Sequence, residues 1–222
     1  MNDGPHILIA DDHDLFRRGL RYALVDTVPG VVVSEASSLE HALEILTAWN
    51  EIALASFDLM MPGMGDGQAL ADIRRLYPNL PIAVLSASEG RRVILESLEA
   101  GASGFIPKSL PADEIVAALH DIMVGRIYVP PHIIAIERSG WLPSSSPARG
   151  RAFDPVTLTP RQHEVFDLMM AGRSTKEMAR ALDIAEGTVK IYLAAIFRLL
   201  EARNRIDAVT KAIALGFTPS SR

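Results

Sequence analysis

Five short runs that look like strands, each followed by a helical pattern, constrain the first 125 residues more than any other feature. His6–Ala10 (HILIA) runs into Asp11-Asp12, Ile52–Phe57 (IALASF) into Asp58, and Ile82–Leu85 (IAVL) into Ser86. Ser103–Ile106 (SGFI) stops just before Lys108, and Val31–Val33 is a β-branched run. Continuous apolar runs of this length are what strands covered on both faces of a parallel sheet look like. Between them, Leu15, Leu20 and Leu24, then Leu39, Ala42, Leu43 and Leu46, recur at helical spacing. A helix is predicted around Ala69–Leu76 before Pro78, another through Val93, Leu95 and Leu98 before Gly101, and a third from Pro111 with Ile115, Ala118, Leu119 and Ile122 inward. Five alternations predict an α/β fold: a five-stranded, doubly wound parallel sheet of flavodoxin-like type. Right-handed crossovers then place helices on both faces.

In such a sheet, ligands gather at the carboxyl ends of the strands. The proposed ends carry Asp11, Asp12, Asp58, Ser86 and Lys108. An aspartate after a strand is ordinarily a turn residue or a helix cap; here the conjunction carries the inference. Converging carboxylates repel one another unless a cation neutralises them, and hard oxygen ligands suit Mg2+ or Mn2+. One carboxylate can then accept a phosphoryl group by nucleophilic attack. Lys108 would offset charge on the phosphoryl oxygens, and Ser86 would donate a hydrogen bond to them.

The remainder of the chain has a different character. Residues 128–156 contain VPP, LPSSSPARG and FDP, a composition that predicts a linker, with Trp141 in its middle. From Leu158 the pattern is all helical. Thr159-Pro160 and Ser174 open two helices, Asp183–Ala185 is a tight turn, Glu186 to about Leu200 forms a third helix, and Ile206–Leu215 a fourth, stopped by Gly216. Two helices joined by such a turn make a helix-turn-helix. In the third helix Leu193, Ile196, Phe197 and Leu200 form a buried stripe, which leaves Thr188, Lys190, Ile191 and Ala194 for an exposed face. Charge follows the same division. Residues 1–148 hold 10 basic against 19 acidic side chains, and residues 149–222 hold 12 against 8. With no cysteine, disulfides, thiol catalysis and cysteine-bound metals are excluded. The apolar runs are too short to span a membrane, and the start of the chain does not read as a signal peptide. The six histidines (His6, His13, His41, His120, His132 and His163) show no metal-ligand spacing.

The motifs ILIADDHDLFRRGL, DLMMPGM, VLSA and GASGFIPKS, in that order, resemble the receiver domain of bacterial two-component response regulators. The segment LTPRQHEVFDLMMAGRSTKEMARALDIAEGTVKIYLAAIFRLLEARNRIDAV resembles the LuxR/NarL/FixJ helix-turn-helix domain. Together they make the chain similar to a NarL/FixJ-type response regulator, with a receiver over 1–127, a linker over 128–156 and a DNA-binding domain over 157–222. The resemblance implies that Asp58 is phosphorylated by a histidine kinase or small phosphodonor. It implies that Asp12, Asp58 and the Met60 backbone carbonyl bind Mg2+ (or Mn2+), with Asp11 assisting. Ser86 and Lys108 would hold the phosphoryl group, and Ser86 and Phe105 would switch. DNA contacts would come from Thr175, Lys176, Thr188, Lys190, Ile191, Tyr192, Ala194, Arg203 and Arg205. The resemblance further implies a cytoplasmic bacterial protein with no membrane partner, a homodimer when active through the last helix, and RNA polymerase as a further partner. Self-phosphorylation and slow self-dephosphorylation would be its only chemistry.

Several residues depart from the family pattern. The loop after Asp58 reads MPGMGDG, with Asp66 near a usual glycine; Ala55 and Ser56 lighten the third strand. Tyr192 stands where histidine is common. Ala185 removes the usual cap of the third helix, and Glu201 replaces a glycine that often ends it, so that helix is expected to run on. Two other functions compete: a phosphorylation-independent DNA binder whose receiver is a dimerisation scaffold, and an aspartate-nucleophile phosphohydrolase. No substrate-binding insertion supports the latter.

Overall fold

The computed structural model describes residues 4–49, 51–65, 68–133, 158–215 and 217. Asp66, Trp141, Gly216 and residues 134–157 of the proposed linker lie outside the described residues. The chain divides into two compact units, Met1–Val124 and Gly125–Arg222.

The first unit alternates strand and helix without interruption. Its elements are β1 (His6–Ala10), α1 (Asp14–Thr27), β2 (Val32–Ala36), α2 (Leu39–Ala48), β3 (Ile52–Asp58), α3 (Gln68–Leu76), β4 (Ile82–Ser86), α4 (Arg91–Glu99), β5 (Gly104–Pro107) and α5 (Ala112–Met123). The strands form one parallel sheet in the order β2-β1-β3-β4-β5. Right-handed crossovers then put α1 on one face and α2, α3 and α4 on the other; α5 packs beside α1. The strand order reverses between β1 and β3, and a crevice opens at such a switch point.

Two expectations shift. The second strand is Val32–Ala36, so it includes Ser34 and Glu35 beyond the valine run. It is the sheet edge, half-buried along most of its length, and polar residues are tolerated there. The buried face of α4 is Ile94, Ser97 and Leu98, with Val93 and Leu95 only partly covered. Ser97 hides from an apolar pattern because its hydroxyl is satisfied within the helix, donating to the Val93 carbonyl at 2.7 Å.

The second unit holds four helices: α6 (Pro160–Met170), α7 (Thr175–Leu182), α8 (Glu186–Leu199) and α9 (Arg205–Ala214). Capping boxes at Thr159/Gln162 and Ser174/Glu177 open α6 and α7. The two N–H and O–H donors of Ser174 hold the Glu177 carboxyl below its ordinary range. Val165, Phe166, Met169, Met178, Val189, Leu193, Ile196 and Phe197 form the core, and Ile127 packs against it.

The ends of α8 test the unusual residues directly. Ala185 makes no side-chain cap, so Ala185→Ser is expected to stabilise the chain by about 1 kcal/mol, read as a shift in the urea midpoint at constant slope. The helix does not run past Glu201. Glu201 adopts φ 51°, its N–H donates to the Arg198 carbonyl, and the Ala202 N–H donates to the Phe197 carbonyl at 2.8 Å. This is a Schellman termination. The fold overrides the missing glycine because Ala202 must turn back to join the core beside Phe197. A left-handed glutamate costs about 1 kcal/mol, so Glu201→Gly should raise the denaturation midpoint. An unchanged or lower midpoint would contradict that strain.

Candidate functional site

The crevice at the sheet's switch point collects Asp11, Asp12 and His13 from the β1–α1 turn, Asp58 from β3, Ser86 from β4 and Lys108 just after β5. Asp11, Asp58 and Ser86 are buried, Lys108 nearly so, and Asp12 opens to solvent. The Lys108 ammonium lies 2.7 Å from both Asp11 Oδ2 and Asp58 Oδ2. It is a hydrogen bond to Asp58, whereas Asp11 Oδ2 receives none of proper geometry and stays a buried oxygen held only by charge. The other Asp58 oxygen, Oδ1, accepts the Met60 N–H at 3.0 Å, and Asp11 Oδ1 accepts the His13 N–H at 2.9 Å. One ammonium among three carboxylates leaves a net negative hollow. Carboxylate oxygens and an imidazole nitrogen here lie within 4.8 Å of one another. That donor set fits a hard divalent cation.

Two supporting residues, Phe16 and Arg17, carry no sequence signal of their own; His13, familiar beside the acidic pair in this family, joins them. Phe16 lies beneath the Lys108 ammonium, 4.8 Å from ring centroid to nitrogen, and fixes its position by cation–π attraction. Arg17 donates to the Asp11 carbonyl at 2.6 Å and is itself held by Asp14 and Glu35. Glu35 sits on another strand, so no local pattern announces that pairing. His13 has no partner histidine at ligand spacing, yet the turn brings it into the acidic cluster.

Beyond Asp58 the loop is pinned by buried Met61 and Met64, and the Leu39 N–H donates to the Pro62 carbonyl at 3.0 Å. Gly63 has φ 92°, and a Cβ there would stand 2.8 Å from Leu39 Cβ, so only glycine fits. Under the site, the Ser56 hydroxyl donates across to the Leu8 carbonyl at 3.2 Å, which satisfies the polar group that lightens β3. Ser86 Oγ accepts the Ser88 N–H at 3.1 Å, and Phe105 is fully buried in β5.

In the second unit, Lys176 and Arg203 are exposed and Thr175, Thr188 and Lys190 partly so. Of the face expected to be exposed on α8, Thr188 and Lys190 are half-exposed, whereas Ile191 and Ala194 are buried; Tyr192, expected among the DNA contacts, is buried and belongs to the core cluster. With Ala195 added, α8 is apolar almost all round from Ile191 to Phe197, and such a stretch is buried on more than one face. Arg205 donates to the Met169 carbonyl at 3.1 Å, closing the end of α6.

Residues 7–120 match the response regulator receiver domain family, and residues 156–212 match the bacterial regulatory proteins of the luxR family. The chain is 38% identical over 213 residues to the glycerol metabolism activator of Pseudomonas putida, covering 96% of each. It is 32% identical to the probable transcriptional regulatory protein NarL of Mycobacterium tuberculosis, over 93% of each. A LuxR family DNA-binding response regulator from Silicibacter pomeroyi superposes with a TM-score of 0.52 at 32% identity, covering 58% of this chain and 98% of that one. The chain therefore belongs to the NarL/FixJ-type response regulators. It is a DNA-binding transcriptional regulator of the two-component class rather than a conventional enzyme. Among the described residues, no helix is long and apolar enough to cross a membrane.

Proposed function

We propose that phosphorylation of Asp58 switches this regulator. The observation that carries the reading is the Lys108 ammonium, held 2.7 Å from Asp58 at the buried end of β3 beside Asp11. An Asp58 carboxylate oxygen attacks the phosphorus of a kinase phosphohistidine or of a small acyl phosphate. A P–O bond to Asp58 forms as the bond to the donor breaks, and the electron pair departs with the donor. Lys108 offsets charge on the phosphoryl oxygens, and the Ser86 hydroxyl turns to donate to one of them. Mg2+ or Mn2+, held by Asp12, Asp58 and the Met60 carbonyl with Asp11 behind, would supply the remaining charge neutralisation. Slow hydrolysis of the acyl phosphate resets the site.

The adduct adds about −1.5 to −2 charges if it behaves as other phosphate monoesters do. Ser86 and then Phe105 respond, and the DNA-binding unit pairs through α9 with a second copy. Lys176, Lys190, Arg203 and the hydroxyls of Thr175 and Thr188 contact DNA. Any groove contact through Ile191, Tyr192 or Ala194 first requires that face of α8 to be uncovered. Backbone contacts of this kind weaken steeply with salt. The reading places the protein in a bacterial cytoplasm with a histidine kinase upstream and RNA polymerase downstream.

Beryllofluoride with Mg2+, a phosphoryl mimic, provides the test. Average mass by light scattering should move toward that of a dimer, and promoter DNA should bind at least about fivefold tighter, a typical coupling between sites. Unchanged mass and affinity would favour a receiver that serves only as a scaffold.

A further inference from the structure

We propose that Arg17 is a positioning residue for the phosphoacceptor site: it fixes the peptide between Asp11 and Asp12 and so sets how tightly the acidic pair holds a divalent cation. This rests on the metal-site reading above. The Arg17 side chain is only 13% exposed. Its fork meets three acceptors at once: the Asp11 carbonyl at 2.6 Å, Asp14 Oδ1 at 2.7 Å and Glu35 Oε2 at 3.2 Å. Arg21 holds Glu35 from the next turn of α1, at 3.4 Å. The Asp11 carbonyl and the Asp12 N–H belong to one planar peptide. Gripping that oxygen therefore fixes the direction in which the chain, and the Asp12 carboxylate with it, leaves β1. Asp11 is anchored at two further points, its N–H donating to the Ala36 carbonyl of β2 and its Oδ1 accepting the His13 N–H, each at 2.9 Å. Through Glu35 and Ala36, the edge strand β2 thus holds the turn that carries both acidic residues.

Charge and geometry predict opposite results when Arg17 is removed. By charge alone, loss of a nearby cation would tighten metal binding, the more so because Asp14 and Glu35 would lose their partner. By geometry, loss of the grip lets the peptide turn, Asp11 and Asp12 no longer share one orientation, and binding weakens. Asp14 and Glu35 already offset the guanidinium and are open enough to solvent for screening, so little of its field reaches the hollow. Contacts that orient a metal ligand from behind are worth about 10- to 100-fold in affinity. Geometry should therefore prevail. Lysine cannot substitute, because its ammonium is a point where the guanidinium is a rigid fork spanning acceptors on the turn, on α1 and on β2.

Mn2+ titration of the full chain, read by the EPR signal of the free ion, tests this without any phosphodonor. Arg17→Met and Arg17→Lys are each expected to bind Mn2+ about tenfold more weakly than the parent. Glu35→Gln keeps the bond from Arg17 to Asp11 and loosens only its support, so its loss should be smaller. With acetyl phosphate, the Mg2+ concentration for half-maximal phosphorylation should rise in Arg17→Met by the same factor, while the rate at saturating Mg2+ stays within about twofold of the parent. A residue that merely supports the fold would lower the urea midpoint and leave both ion titrations unmoved. Tighter or unchanged Mn2+ binding in Arg17→Met, or parent-like binding in Arg17→Lys, would overturn the proposal and leave the metal site standing. A slower rate at saturating Mg2+ with an unchanged half-maximal concentration would overturn it too. Should Arg17→Met not fold, parent-like binding in Glu35→Gln would overturn it and weakened binding would support it. Failure of the parent to bind Mn2+, or undiminished binding in Asp58→Asn, would overturn the metal-site reading itself and the role of Arg17 with it.

Discussion

Asp58→Asn, incubated with acetyl phosphate and Mg2+, keeps its mass, while the parent chain gains a single phosphoryl group. The amide has the size and position of the carboxylate but is a far weaker nucleophile, so the loss should be complete within the sensitivity of intact-mass measurement. Stability should not suffer. Asp58 shares its hollow with Asp11 and Asp12, and removing one of three like charges relieves repulsion that Lys108 alone offsets. An adduct on Asp58→Asn would mean that another carboxylate accepts the phosphoryl group; Asp12, the exposed member, would be the first to examine.

The second large effect is expected at Lys108. Its ammonium is 12% exposed and bridges two carboxylates that are 0% and 1% exposed. Lys108→Met keeps the apolar stem over Phe16 and removes the charge, leaving Asp11 and Asp58 facing each other without a cation. Removing one partner of a buried ion pair costs about 3 kcal/mol or more. Urea unfolding in EDTA should show that loss. Saturating Mg2+ should recover much of it, because a ligand bound at about 100 times its dissociation constant stabilises by about 2.7 kcal/mol. The recovery should exceed the gain that Mg2+ gives the parent, since the cation takes over the neutralisation that Lys108 performed. Equal gains in both chains would show that Lys108 and the cation act at separate places.

Much of the fold was legible from local pattern. Each central strand is covered on both faces and so reads as an unbroken apolar run, as in HILIA, IALASF and IAVL. The edge strand was read short because one side of β2 is half-open and admits Ser34 and Glu35. Helix starts at Thr159 and Ser174 were legible from the capping side chains themselves, with Pro160 following Thr159; the reciprocal bonds of Gln162 and Glu177 came from the structure. The position of the end of α8 near Leu200 was legible too, but its abrupt stop was not: Glu201, where glycine is common, still enters the left-handed region as Ala202 joins the core.

Chain order and apolar runs alone put Asp11, Asp12, Asp58, Ser86 and Lys108 at or just past strand ends. A parallel sheet has one carboxyl edge, so residues ending its strands meet there whatever the details of packing. What supports them comes from packing between elements. Phe16 under Lys108, Arg17 between the Asp11 carbonyl and Glu35, and His13 turned toward the carboxylates all depend on how α1 leaves β1 and packs near β2. Packing also decided that Ile191 and Ala194, which a single apolar stripe would leave outside, are buried. Periodicity along a chain reports one face of a helix, and burial of the others depends on neighbours that no local spacing encodes.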